Sequence, residues 1–399
     1  MKSRFLTYEN GLLLLLGVTF GVVFIDRNAL TTLMPFIQKE FALTNTQVGL
    51  LAACLSVTWG LSGYAIGALS DKAGRRKPFL ITAVLLFSAT TMLSGFAGGF
   101  LSLLVARLAM GMAEGPVFPL SQSLLAAASS ANRRGLNAGL MQATITSLIG
   151  LIAAPILLVA VAGSHGWRAA FFVAALPGLV MALLMLRFIR EPRAAIVKHA
   201  ALPQLALLRE RNIALCIGIA ICQVSWMVIA WAFLPLYFIQ ARHFTPQVMG
   251  YLMSALGISS ALFGLALPAL SDRIGRKPVV LIFAAIALVM PLGVAFGPAD
   301  PLSVGILLLI GWSASGTFPI FMATIPAESV PAASLGAAIG LVGGVAEVLG
   351  GFFGPPVAGV LADRFGLGAP LALMGALAIV ATLLALGLVE THPRRRVLA

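Results

Sequence analysis

Apolar residues along this chain gather into twelve long stretches, near 11–36, 47–69, 79–98, 100–126, 135–162, 168–189, 212–239, 247–270, 279–297, 301–325, 334–361 and 369–389. Charged residues and Pro/Gly-rich breaks separate them. About 20 residues suffice to cross a bilayer as a helix, so the pattern predicts an all-α membrane protein with twelve transmembrane helices. The first stretch is longer and more polar at its end than a cleaved signal peptide, and reads as helix 1. The widest break, 190–211, is basic. It reads as a cytoplasmic linker between an N-terminal six-helix bundle (1–189) and a C-terminal one (212–399), with Pro203 to Arg211 as a short interfacial helix.

A repeat supports the division into halves. GALSDKAGRRK at 67–77 returns as PALSDRIGRK from 268, so that Leu69 pairs with Leu270, Asp71 with Asp272, Gly74 with Gly275 and Arg75 with Arg276, each 201 residues apart. Two homologous halves, each built of apolar helices, describe a transporter more readily than an enzyme.

Composition fixes the class: 60% of residues are apolar and 10% charged, with a mean hydropathy of +1.03. The net charge of +13 does not call for nucleic acid, because of where it lies. With both termini cytoplasmic, the inner segments hold Lys2, Arg4, Lys72, Arg75, Arg76, Lys77, Arg133, Arg134, Arg187, Arg190, Arg193, Lys198, Arg209, Arg211, Arg273, Arg276, Lys277 and Arg394 to Arg396, against Lys39, Arg168, Arg242 and Arg364 outside. That asymmetry orients a multi-pass protein of the cell (inner) membrane. Cys54, Cys216 and Cys222 fall within predicted helices and read as packing. No G-x-x-x-x-G-K-[ST] loop is present, so uphill transport must draw on an ion gradient, with no cofactor and no metal.

The repeated loop combines a helix-approach glycine (Gly67), an acid (Asp71), a turn glycine (Gly74) and a basic cluster from Arg75 and Arg76 to Lys77, with Asp272, Gly275 and Arg276 in the second copy. Such a set can break and remake charge contacts at the cytoplasmic face as a gate. GALSDKAGRRK resembles the helix 2–3 loop signature of the major facilitator superfamily, with the second copy at the helix 8–9 position. Arg107 with Gly111, Gly166-Trp167-Arg168 with Phe171, Glu191-Pro192, and Glu390 with Pro393 extend the resemblance over nearly the whole chain. It implies two six-helix bundles around a central cavity, working by alternating access as a monomer in the lipid bilayer. Pro268 stands where the second copy usually has glycine, which weakens the gating role there.

Substrate and coupling chemistry need residues at membrane depth, and there the chain offers Asp26, Arg27, Arg107, Glu114 and Glu347. Each charge at the bilayer centre costs roughly 2.5–3.5 kcal/mol, so these groups must pair, titrate or face water. Asp26 and Arg27 point about 100° apart on one helix and serve different partners. Arg107, Gly111 and Glu114 share one face of the fourth helix, with Arg107 and Glu114 about 10 Å apart. If that face meets helix 1, Glu114 can neutralise Arg27 until an anionic substrate takes the guanidinium. Burial opposes a carboxylate's charge and a nearby arginine favours it, so substrate binding would load a proton on Asp26 or Glu114. Arg107 is equally readable as a structural charge.

Phe24-Ile25-Asp26-Arg27-Asn28 followed by Pro35, with Arg107 and Glu114, resembles the anion:cation symporter branch of that superfamily, and spinster-like lysolipid transporters share much of the pattern. The resemblance implies proton-coupled import of a small organic anion such as a sugar acid or other carboxylate. Trp59 stands where that branch often has a tyrosine, and its ring can stack on a substrate or pack the wall. Glu347 lies where a neutral polar residue is more usual; it reads as a proton site, a ligand for a positive substrate group, or a partner for a polar neighbour. Gln142 is a candidate hydrogen bonder, whereas Tyr64, Tyr237 and Trp231 read as packing.

Four readings compete. Drug:proton antiport usually shows a G-x-x-x-G-P-x-x-G-G pattern in helix 5, where this chain has only Gly150 and Pro155; the run Gly350, Gly354-Pro355 and Gly359 lies in helix 11. Lysolipid or amphiphile export fits the apolar helices. A non-transporting receptor would leave the buried titratable groups without a use, and no nucleophile–base set or metal-ligand cluster suggests an enzyme. Adding 201 to the buried charges maps Asp26 to Met227, Arg27 to Val228, Arg107 to Leu308 and Glu114 to Ser315, while Glu347 maps back to Thr146. The halves share loops but not chemistry, and coupling is expected in the N-terminal half.

Overall fold

The computed structural model describes residues 7–130, 133–191, 207–331 and 334–392. Lys2, Arg4, Pro192, Arg193, Lys198, the start of the expected interfacial helix at Pro203, Pro393 to Arg396 and the side chain of Asp71 lie outside the described residues. Among the described residues, twelve helices are long and apolar enough to cross a membrane: α1 Tyr8–Phe41, α2 Asn45–Ser70, α3 Lys77–Gly95, α4 Phe100–Ala128, α5 Leu136–His165, α6 Trp167–Phe188, α7 Arg211–Ala241, α8 Pro246–Ile274, α9 Arg276–Phe296, α10 Pro301–Ser329, α11 Leu335–Phe365 and α12 Gly368–Leu386. They match the twelve apolar stretches because an uninterrupted apolar run of this length has few other ways to satisfy its backbone.

Two compact units divide the chain. One comprises Met1–Leu43, Cys54–Val197 and Thr245–Gly257; the other comprises Thr44–Ala53, Lys198–Phe244 and Ile258–Ala399. The dividing line thus runs through α2 and α8 as well as through the linker. In the first unit α3 lies along α6 and α4, while α1 lies along α5 and α6. In the second, α9 lies along α12 and α10, and α7 along α11 and α12. The same helix pairs recur at the 201-residue offset, so the pseudo-symmetry of the loops extends to the packing.

Helix irregularities recur as well. α4 breaks after Glu114 and resumes at Val117, because Pro116 has no N–H to give the preceding turn. Its counterpart α10 tightens into a 3₁₀ turn at Ser313–Thr317. α5 carries π-helical turns at Leu140–Ile145 and Ser147–Ala153, and α11 carries one at Ala346–Gly351, which the offset maps onto Ile145 to Gly150. Gln142 and Glu347 therefore both sit on π-helical turns, a local geometry frequent at functional sites.

The repeated loop owes its shape to its glycines. Gly74 has φ +63° and Gly275 has φ +104°, where a Cβ would be strained. Each turn delivers the start of the next helix to a carboxylate: Glu191 accepts from the N–H groups of Arg76 (2.5 Å) and Lys77 (3.0 Å), and Glu390 from those of Arg276 (2.8 Å) and Lys277 (3.1 Å). The helix N-terminus has unsatisfied donors and a partial positive charge, so an anion there satisfies both. In the second copy Arg276 also reaches Asp272, the Ser271 hydroxyl (2.8 Å) and Glu328 (3.0 Å). A Cβ placed on Gly67 would meet open space, so among the described residues this glycine marks no close helix approach.

Burial alone would push the Glu390 carboxyl up, but N–H donors from His392, Arg276, Lys277 and Thr391 outweigh it and hold the carboxyl below its ordinary value. A lowered folded-state value means that Glu390 stabilises fully above the unfolded glutamate value of about 4.3, and that this contribution fades as pH falls through the lower folded value. Glu390→Ala is therefore expected to destabilise the detergent-solubilised protein by about 1–2 kcal/mol at neutral pH. Thermal melting checks this, and the gap from wild type should narrow only below about pH 4.

Candidate transport site

α1 and α4 bring the predicted charges of the first unit together. Asp26 is completely buried, and neither of its carboxylate oxygens has a hydrogen-bond partner. Thr91 stands beside it, but the Thr91 hydroxyl donates to Phe87 O (2.9 Å). Glu114, also completely buried, has both oxygens without a hydrogen-bond partner. It lies within electrostatic reach of Arg27 and Arg107, and it faces Asp26 as a like charge. Four ionisable groups thus share one low-dielectric region, and neither carboxylate in it is hydrogen-bonded.

Arg107 takes backbone rather than carboxylate partners. Its Nη2 donates to Arg27 O (2.9 Å), and its Nη1 reaches Asp26 O (3.5 Å) and Met110 Sδ (3.1 Å). The guanidinium therefore ties α4 to the two residues of α1 whose side chains carry the opposing charges. Those side chains diverge as the 100° step predicts, since Asp26 is buried whereas Arg27 is half-buried. The Arg27 guanidinium lies over the Trp59 ring, 5.7 Å from its centroid, a cation–π contact that gains when desolvated. Trp59 thus packs with the arginine.

The α2–α4 contact that places Trp59 depends on Gly111. A Cβ there would collide with the Thr58 hydroxyl and stand 2.6 Å from Leu55 O, and the Ser62 hydroxyl donates to Gly111 O (3.2 Å). Gly111→Val is expected to lower the stability of the protein by about 1–3 kcal/mol through overpacking. Thermal melting and the retention of a monodisperse species on size exclusion check it.

The remaining candidates lie on other helices. Gln142 is exposed on α5, and Glu347 is half-buried on α11 in the second unit. Tyr64 is 83% exposed, whereas Trp231 and Tyr237 are buried. Among the described residues no group of three His, Cys, Asp or Glu side chains is arranged to hold a metal ion, and the three cysteines are buried and form no disulfide.

The second unit's counterpart of this site escapes sequence reasoning. Trp226 stacks on Trp312 with centroids 5.1 Å apart, Trp312 Nε1 donates to the Ser260 hydroxyl (2.8 Å), and Ser260 lies 3.4 Å from Ser315. The offset makes Ser260 the counterpart of Trp59, Trp312 that of Gly111 and Ser315 that of Glu114. Where one half has charges packed by a glycine, the other has a neutral network packed by an indole. The offset is the signal that points there, but serines and tryptophans in apolar helices look like packing until their partners are known. The Gly166-Trp167-Arg168 run also gains a reason: Trp167 Nε1 donates to Glu40 Oε2 (2.6 Å), and Arg168 pairs with Glu40 Oε1 at 2.8 Å, fastening the start of α6 to the end of α1.

Comparison with known proteins places this geometry in a family. Residues 16–343 and 215–399 match the profile of the Major Facilitator Superfamily. The chain is 28% identical over 402 residues to a probable sulfoacetate transporter of Cupriavidus necator, covering 92% of this chain and 90% of that protein. It is 24% identical over 423 residues to the D-galactonate transporter of Escherichia coli O6:H1, covering 96% and 94%. Among solved structures, a bacterial homologue of the human lysosomal transporter Spinster, inward-facing and occupied, superposes with a TM-score of 0.79 at 18% identity, covering 95% of this chain and 96% of that one. The twelve helices in two pseudo-symmetric sets of six, the repeated loop and the matched profile agree: this chain belongs to the major facilitator superfamily of membrane transporters.

Proposed function

We propose that the protein is a secondary active transporter that imports a small organic anion, such as a sugar acid or another carboxylate, together with protons. One observation carries the reading: Arg27 lies on Trp59 beside two completely buried carboxylates whose oxygens accept no hydrogen bond. An ionised carboxylate held this way is expensive, and a proton removes the cost. Arg27 is the anion's anchor, Trp59 holds the guanidinium, and Asp26 and Glu114 carry the protons. Arg107, bonded to the carbonyls of Asp26 and Arg27, fixes the α1 segment that presents both groups.

Coupling follows from electrostatics. While no anion is bound, the Arg27 charge compensates an ionised Glu114; an anion that takes Arg27 cancels that compensation, and Glu114 then takes up a proton. Anion and proton load together, and the loaded carrier is nearer to neutral than one loaded with either alone. Gln142 and Glu347, each on a π-helical turn, supply further substrate contacts in their own helices, and the repeated cytoplasmic loops act as gates in an alternating-access cycle. The protein works as a monomer in the inner membrane with both termini in the cytoplasm. That the relatives named above include a probable sulfoacetate transporter and a D-galactonate transporter supports an anionic substrate.

The test is a counterflow screen. Proteoliposomes preloaded with unlabelled sulfoacetate, D-galactonate or another candidate anion should take up the same anion labelled, and acidification of the outside should accelerate the uptake. Proton-driven export of cationic drugs or amphiphiles is the alternative, and movement of such compounds against the proton flux with no anion exchange would establish it instead.

A further inference from the structure

We infer that Asp363 is a releasable clasp, which fastens the start of α2 to the end of α11 and must open before the transporter can face outward. The inference rests on the topology and the alternating-access cycle proposed above, which put the start of α2 and the end of α11 on the outer side. α2 begins in the second unit and ends in the first. Within the second unit, Asp363 Oδ1 accepts from Asn45 N (2.8 Å), and Oδ2 accepts from Thr46 N (2.9 Å) and from the Thr46 hydroxyl (2.6 Å). A carboxylate at a helix start satisfies free amides and meets a partial positive charge. The backbones also touch, since a Cβ on Gly359 would collide with Asn45 O and one on Gly49 with Pro355 O. Ala52 packs on the apolar core of the same unit.

The helix does not need this carboxylate in order to form. α2 carries its own capping box: Thr44 N donates to Gln47 Oε1 (3.0 Å), and Gln47 N donates to Thr44 Oγ1 (3.2 Å). Such a reciprocal pair holds a helix start by itself. α2 therefore stays capped when α11 withdraws, and water takes the two amides that Asp363 gives up. What Asp363 adds is a bond between α2 and α11, and Asp363 is exposed, so that bond can break without leaving a buried charge.

The other half shows the same docking without the clasp. In the first unit the start of α8 lies on α5. Gly250, the counterpart of Gly49, faces Pro155 O, and a Cβ on Gly257 would stand 2.7 Å from Leu151 O. The Ser254 hydroxyl donates to Ile152 O (2.8 Å). Thr245 caps Val248 N (3.3 Å), as Thr44 caps Gln47. Yet the 201-residue offset puts Ala162 in the place of Asp363 and Pro246 in the place of Asn45, and proline has no N–H to give. Acceptor and donor are missing together. The clasp is thus an addition to one of two equivalent helix starts, which marks it as a setting of how firmly the outer side closes.

Amide hydrogen exchange of the purified full-length protein, read by mass spectrometry, tests this in wild type, Asp363→Ala and Asp363→Asn. Losing a helix-start acceptor changes an opening equilibrium by about fivefold. Asp363→Ala is expected to speed exchange by about that factor in residues 45–53. Because outward opening frees both docked starts together, residues 246–257 should speed up as well, while 279–290 inside the second unit keep the wild-type rate. Asp363→Asn retains an oxygen to accept one amide but no charge, and should fall between; if the alanine variant does not fold, the asparagine variant decides by the same readings. Acceleration confined to 45–53, equal acceleration in 279–290, or no change would overturn the clasp, leaving a local cap, a loosened fold or an idle contact in its place. The topology is read separately. Lys39→Cys, at the exposed end of α1, should react with a membrane-impermeant maleimide added outside intact cells; reaction only after the membrane is opened would overturn the topology and the inference with it.

Discussion

Arg27→Ala should abolish anion binding and transport while leaving the fold in place. The guanidinium contributes its charge and its paired donors, so its loss removes charge-assisted hydrogen bonds of about 1.5–3 kcal/mol each. Two such bonds correspond to at least about a hundredfold in affinity, beyond the range in which uptake is measurable for a weak substrate. Arg27→Lys should retain part of the charge but not the planar fork, and so fall between the two. Because Arg27 is half-buried and lies on an indole face, either variant can leave the helix packing intact. A thermal melt close to wild type, together with lost counterflow, is the expected pair of results. Retained counterflow in Arg27→Ala would remove the residue from the site.

Glu114→Gln should separate protons from substrate. A glutamine is nearly isosteric and permanently neutral, so it mimics the protonated acid and removes the titrating group. The neutral side chain relieves the like-charge contact with Asp26 and leaves the Arg27 charge uncompensated by Glu114 at every pH, so anion binding should become less dependent on acidity. Anion exchange across the membrane, which needs no net proton movement, should persist at a rate within a few-fold of wild type. Concentrative uptake driven by a proton gradient should fall to background. Asp26→Asn should show the same direction if the two carboxyls load protons as a coupled pair. Unchanged concentrative uptake in Glu114→Gln would exclude the residue from coupling.

The features behind these effects differ in how plainly the amino-acid sequence displays them. The helices are legible because an apolar run of span length constrains the backbone almost completely, and all twelve spans begin within a few residues of the expected positions. The charges of α1 and α4 are legible because an acid or arginine inside such a run is costly and must have a use. Their partners are not: Arg107 stands out as a charge, but nothing in the sequence says that it bonds the carbonyls of Asp26 and Arg27 in preference to a carboxylate. Trp59 is legible as a departure from the usual tyrosine, and the structure adds that its ring lies beneath Arg27.

The neutral network of Trp226, Trp312, Ser260 and Ser315 is hidden for the opposite reason. Its residues cost little in an apolar helix, so each looks like packing, and only their juxtaposition reveals a polar arrangement. Glu390 shows a third case. It is visible as a residue closing the second half, but its acceptance of the Arg276 and Lys277 amides depends on the left-handed turn at Gly275, and a turn's φ cannot be read from hydropathy.

Coupling of anion to proton is the central claim, and one measurement addresses it directly. Wild-type protein is reconstituted in liposomes with a pH-sensitive dye trapped inside and a candidate anion is added outside, with the membrane potential clamped. Coupled import predicts internal acidification that requires the protein and the anion together, saturates with anion concentration, and disappears in both Arg27→Ala and Glu114→Gln. Acidification absent with every anion tested, or internal alkalinisation driven by a cationic drug in their place, would contradict it.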